Sequence, residues 1–151
     1  MTGSPKLFLG KHASTLDKKG RFPAPSIFQG QLSRGAYIIQ GFDRNLLVLT
    51  PNAFGEIYRK ISAQNLADPL ARLLLRMILG TAHELDLDKN GYITLPKELK
   101  KFARVGRDVL LVGQGDYFEV WQPDLWERQE VQIRDAATNS SRFATLVVTT
   151  R

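Results

Sequence analysis

The spacing of apolar residues predicts strands over 36–40 and 46–50, each a short run rich in Ile, Leu and Val, joined by a turn over 41–45 that opens on Gly41. Pro51 fits the first turn of a helix reaching about residue 60, where a missing N–H costs nothing. The same order returns later. Strands over 108–112 and 117–121 flank the turn 113–116, and Pro123 opens a helix carrying Leu125, Trp126 and Gln129 at helical spacing. Pro25 and Pro96 likewise fit the first turn of shorter helices ending near Leu32 and Phe102. Between these units, 68–80 is apolar on more than one helical face, with Asp68 as N-cap, Pro69 in the first turn and Gly80 as stop. That helix is expected to lie largely buried in the core, the alternative being a subunit interface. After Asp135 the pattern dissolves, and the end of the chain reads as either a loose tail or a late strand.

The recurrence is a duplication. Leu16, Asp17, Lys18, Gly20 and Pro25 return as Leu87, Asp88, Lys89, Gly91 and Pro96, each 71 positions on, and His12 returns as His83 at the same offset. Gly41 and Pro51 match Gly113 and Pro123 at 72, so one single-residue indel reconciles the halves. A copy of about 70 residues buries too little surface to be secure alone, so the two are expected to share one core. The resulting division is a first repeat over 8–66, a linker helix over 67–80, a second repeat over 81–135 and a C-terminal tail over 136–151. The predicted class is α+β, one chain imitating a dimer.

Charge adds a direction to this picture. The net +6 is uneven: residues 1–70 carry nine Lys and Arg against four Asp and Glu, whereas 71–151 carry twelve against eleven. Within 6–21, Lys6, Lys11, Lys18, Lys19 and Arg21 face only Asp17, which makes this segment a candidate contact for a polyanion. No apolar run approaches the roughly 18 residues of a membrane span, and the one at the N-terminus is too short for a signal peptide. The absence of cysteine excludes disulfides and thiolate metal sites and fits a cytoplasmic protein.

The repeated motif has the chemistry of a tight turn between two short strands: Asp bonds backbone amides, Gly takes positive φ, and the residues between project from a tip. The first tip offers Lys18, Lys19 and Arg21, cations suited to phosphates and, for Arg21, to a bidentate contact with guanine in a groove that admits a β-ribbon. The second offers Lys89 and Asn90.

Taken together, Leu16-Asp17-Lys18-Lys19-Gly20-Arg21 with its proline-containing helix start, the second Leu87-Asp88 motif with Gly91, the run Leu79-Gly80-Thr81-Ala82 and the segment Leu111 through Trp121 resemble the MraZ family, over about residues 8 to 135. The resemblance implies tandem AbrB-like swapped-hairpin modules forming one pseudo-dimeric, β-barrel-like domain with flanking helices. It also implies a sequence-specific DNA-binding transcriptional regulator of the division and cell wall gene cluster, acting on its own promoter through direct repeats. It further implies a ring-shaped homo-oligomer associated with the nucleoid, without cofactor or membrane. The resemblance carries over Asp17 and Arg21, with Lys18 and Lys19 between them, as DNA-contacting residues, and the charge and tip chemistry above add Lys11, Lys89 and Asn90. One position departs from the pattern: Tyr92 stands where the second motif would carry arginine, so that copy lacks the charge and the fork.

Three rival readings bear on the same residues. Asp86, Asp88, Asn90, Gly91 and Ile93 reproduce the start of an EF-hand loop, but its twelfth position is Lys97 rather than a bidentate Glu, so no metal site is expected. The only histidines, His12 and His83, occupy equivalent positions and suggest a shared packing or hydrogen-bonding need; with no phosphate loop and no nucleophile elbow, an enzyme is not expected. A structural, ring-forming oligomer without specific DNA binding is the remaining alternative, and it makes the basic tip irrelevant.

Overall fold

The structure, a computed structural model, describes residues 6–146. The first copy contains strands β1 (Lys11–Thr15), β2 (Arg21–Pro23), β3 (Ala36–Gln40) and β4 (Leu46–Leu49), with helices α1 (Ser26–Gln29) and α2 (Pro51–Ser62). Helix α3 (Pro69–Ile78) follows. The second copy supplies β5 (His83–Leu85), β6 (Tyr92–Thr94), β7 (Asp108–Gly113) and β8 (Tyr117–Trp121), with helices α4 (Lys97–Phe102) and α5 (Pro123–Arg134), and α6 (Ala136–Phe143) ends the described chain.

The copies exchange strands. Six strands form one antiparallel sheet in the order β1-β7-β8-β4-β3-β5, and β2 pairs with β6 in a separate ribbon. Exchanging each strand with its repeat-mate turns that order into its own reverse, which is the signature of a two-fold axis between β4 and β8. The first tip therefore joins β1 to β2 without those strands pairing: β1 adds to the second copy's β7, with His12 opposite Leu111, while β5 adds to the first copy's β3, with His83 opposite Ile38. The sheet is open, with β1 and β5 at its edges, and among the described residues no pairing closes it into a barrel.

Alternation along the strands fixes which face is which. Ala36, Ile38, Leu46 and Val48 join Val109, Leu111, Phe118 and Val120 on the inner face, where Phe22 and Ile93 of the ribbon cover them. Both copies line this core, as the size of each required. Phe28 meets Phe8 and Phe118 at ring separations of 4.9 and 5.0 Å, and His12 rests on Phe28 at 4.9 Å. The repeat-mate His83 instead pairs with Glu98 at 2.6 Å, so the two histidines answer different needs. At the seam between copies, buried Asn45 donates to Glu119 at 3.0 Å and Trp121 Nε1 donates to the other carboxylate oxygen at 2.9 Å. Burial pushes the Glu119 carboxyl up, against the pull of those two hydrogen bonds.

Three expectations need correction. Pro25 and Pro96 are N-caps in extended conformation, one residue ahead of the helices they precede. Helix α3 is capped by Asp68 as expected, its carboxylate accepting the Leu70 amide at 2.9 Å, but it buries only one face: Ala71 and Ile78 are buried while Leu70 and Leu73 are 71% and 62% exposed. The segment after Asp135 is neither tail nor strand as far as residue 143. Asp135 accepts the Thr138 amide at 3.2 Å, and buried Asn139 donates to the carbonyls of Gln132 and Ile133, the free end of α5, which folds α6 back onto its predecessor. Polar Asn139 is the anchor, so no apolar periodicity announces that helix. Residues 147–151 of the predicted tail lie outside the described residues.

Candidate nucleic-acid interface

Asp17 builds the first tip. Its Oδ1 accepts the amides of Lys19 and Arg21, both at 2.9 Å, while the Asp17 amide donates to the Arg21 carbonyl at 2.8 Å and Gly20, at φ 77°, donates back to the Asp17 carbonyl at 3.0 Å. The second tip repeats the same bonds: Asp88 Oδ1 accepts the amides of Asn90 and Tyr92 at 2.8 and 2.9 Å, and Gly91 sits at φ 80°. The conserved spacing between the copies now has a cause. A carboxylate at the first position satisfies amides two and four residues on when the residue between them turns left-handed, which glycine does without strain. The Arg21 amide, aided by its guanidinium, holds the Asp17 carboxyl below its ordinary value; the Tyr92 amide does the same for Asp88.

The ribbon brings the tips together. Arg21 lies opposite Thr94 and Pro23 opposite Tyr92, while Gly20 accepts the Leu95 amide and Gly91 accepts the Ala24 amide, both at 2.9 Å. Arg21 consequently touches both copies. Its Nε donates to Asp17 Oδ2 at 2.8 Å, its Nη1 is 3.6 Å from Asp88 Oδ2, and its guanidinium lies 5.5 Å from the centre of the Tyr92 ring. The departure at Tyr92 thus places an aromatic face against Arg21, where a second arginine would set like charges together. The side chain of Arg21 is 36% exposed, and Nη2 is its one nitrogen without a protein partner among the described residues.

The remaining predicted residues fall into two groups. Lys18 and Lys19, and across the ribbon Lys89 and Asn90, are exposed on the tips, and among the described residues none of the three lysines forms an ion pair. Their backbone is fixed by Asp17 and Asp88, so the cations stand on rigid turns and are free to meet phosphate oxygens. Lys11 does not join them. It begins β1, its Nζ lies 3.7 Å from Glu130 and 5.9 Å from the Trp126 ring centre, and it anchors α5 to the sheet edge. Sequence reasoning missed the bond between Arg21 and Asp88, since no local signal reports that repeat-mates sit side by side. It also missed that Arg107, whose carbonyl accepts the Leu16 amide at 2.7 Å, borders the first tip.

Within the acidic start of the EF-hand-like stretch, Asp88 is committed to two amides and Arg21, and among the described residues no cluster of three or more metal-ligating side chains occurs. No helix of the described residues is long and apolar enough to cross a membrane.

A family model described as "MraZ protein, putative antitoxin-like" matches the chain twice in tandem, over residues 7–77 and 78–147. The chain belongs to the MraZ family. The boundary between the two MraZ matches falls at the end of α3, and the second runs beyond α5 through α6. Among curated MraZ relatives, the "Transcriptional regulator MraZ" of Roseiflexus castenholzii is 35% identical over 138 residues, covering 91% of this chain and 94% of its own. The protein of that name from Herpetosiphon aurantiacus is 34% identical over 121 residues, with 80% and 85% covered, and that of Bifidobacterium longum is 34% identical over 127 residues, with 84% and 85% covered.

Proposed function

We propose that this chain is a DNA-binding transcriptional regulator whose first tip meets the phosphate backbone through Lys18 and Lys19. The observation that carries the reading is a pair of exposed lysines, without ion pairs among the described residues, on a turn that Asp17 holds, an arrangement suited to phosphate contact. The names of the relatives support the same class. Arg21 acts here first as a clamp between the tips, and its Nη2 edge is what remains for DNA. Lys89 and Asn90 form a weaker second contact.

The finer reading is that the protein binds direct repeats upstream of its own gene, in the division and cell wall cluster, as a ring-shaped homo-oligomer on the nucleoid. Leu66, Leu70 and Leu73, exposed along and just before α3, supply an apolar surface suited to self-association. A ring repeats the tips around its rim, so several weak contacts add on repeated sites. The test is competition binding of the purified protein to the DNA upstream of its gene against a scrambled duplex, beside Leu70→Ser with Leu73→Ser. Selective binding that falls when sedimentation shows smaller assemblies supports the whole reading. Indifference to DNA sequence overturns the regulator reading, and selective binding by an unassembled native chain removes the ring.

A further inference from the structure

We infer that helix α4 and the turn after it form a second DNA-backbone contact, continuous with the first tip, so that one half of the pseudo-symmetric domain carries the binding surface. This rests on the proposed DNA-binding reading and adds residues to it. Lys97, Lys100 and Lys101 share one face of α4 and Arg104 follows in the turn that ends it, while Leu99 and Ala103 are buried. Lys97, Lys101, Arg104 and Arg107 are exposed, and among the described residues none of these five cations forms an ion pair. Glu98, the acid within the stretch, is engaged by His83.

Strand exchange is what joins this stripe to Lys18 and Lys19. The Leu95 amide, two residues ahead of α4, donates to Gly20, and the Arg107 carbonyl, after it, accepts the Leu16 amide. The second copy's basic helix is therefore tied at both ends to the first copy's basic tip. Summing charge copy by copy hides this, because most acids of the near-neutral second copy lie outside the stretch. The repeat-mates of Lys97, Lys100, Lys101 and Arg104 are Ser26, Gln29, Gly30 and Ser33, all neutral, and they follow Ala24, whose amide donates to Gly91 of the second tip.

Arg104 adds an independent observation. It takes φ 57° in the turn that ends α4, where its amide donates to Lys101 and the Val105 amide donates to Lys100. That is the position at which helices ordinarily place glycine. A side chain held in a backbone conformation that disfavours it points to a use for that side chain. The positive charge of the stripe, continuous with the basic first tip, complements the phosphate backbone of duplex DNA, which is the occupant we assign.

The test compares three chains on a short duplex of random sequence and on the DNA upstream of the gene: native, Lys97→Gln with Lys101→Gln and Arg104→Gln, and a charge-matched control, Lys60→Gln with Arg76→Gln and Arg128→Gln. If all three cations meet phosphates, the slope of log affinity against log salt falls by about 2.7 for every subunit engaged in the α4 variant, so that between 50 and 200 mM salt the native chain loses roughly 40-fold more affinity than the variant does, per engaged subunit. The drop should appear on both duplexes and be absent from the control, with thermal unfolding unchanged in all three. Equal slopes for native and α4 variant, with DNA binding intact, overturn this inference and leave the proposed function standing. A control that falls as far as the α4 variant overturns it too, by reducing the effect to net charge. Failure of the native chain to bind either duplex overturns the proposed function itself.

Discussion

Replacing Lys18 and Lys19 by alanine isolates the tip from the fold better than any change at Arg21. Both side chains are exposed and unpaired, and the bond from the Lys19 amide to Asp17 survives the substitution. Surface changes of this kind alter folding stability by less than about 0.5 kcal/mol, so the denaturation midpoint should not move. Each lysine that neutralises a phosphate contributes about 0.9 to the salt slope, so the double variant should lose about 1.8 for every subunit engaged. Between 50 and 200 mM salt that corresponds to a native chain losing about 12-fold more affinity than the variant, per engaged subunit. The measurement is fluorescence anisotropy of a labelled duplex across a salt series, with urea denaturation in parallel. An unchanged slope in a folded double variant would refute the assignment of these lysines to phosphates. Arg21→Ala could not decide the matter, because it also removes the clamp on Asp17 and Asp88.

Two further outcomes test the interior and the turns. Asn45→Ala leaves the half-buried Glu119 without one of its two donors and should lower stability by about 1–3 kcal/mol in urea denaturation; a midpoint equal to native would mean the seam does not depend on that bond. The tip carboxylates should give an acid-labile component. Their folded pKa values are depressed, so their stabilisation is present above the ordinary value of 3.8 and is lost as pH falls through the folded values. Glu119 works in the opposite sense, since a raised pKa withdraws stability as pH rises from 4.5 through the folded value. Urea midpoints of native and Asp17→Asn with Asp88→Asn should therefore diverge above pH 4 and converge in stronger acid; parallel curves would contradict the shifts.

The repeat, the main strands and the longer helices were legible because each has a local cause: short apolar runs bounded by turns for β3, β4, β7 and β8, and Pro51, Pro69 and Pro123 at the starts of α2, α3 and α5. The turn chemistry of Asp17 and Asp88 was legible for the same reason. What lay beyond reach was relational. Nothing near Arg21 says that Asp88 and Tyr92 will be its neighbours, and nothing in α4 says that it will flank the other copy's tip. Helix α6 escaped because a buried Asn139, rather than a stripe of leucines, holds it. The exposed leucines of α3, Leu70 and Leu73, look identical in sequence to the half-buried Leu74 and Leu75.

A symmetric homodimer is obliged to present the same residue twice at its axis, so an arginine at this turn would confront itself. Here both halves are covalently one molecule, and their pairing survives any dilution. Duplication followed by fusion released each half from the identity that self-association enforces. One half could then keep Arg21 while the other supplied Tyr92 as its cushion. The domain thereby acquires two unlike ends at the pseudo-two-fold axis, a polarity that a symmetric dimer lacks.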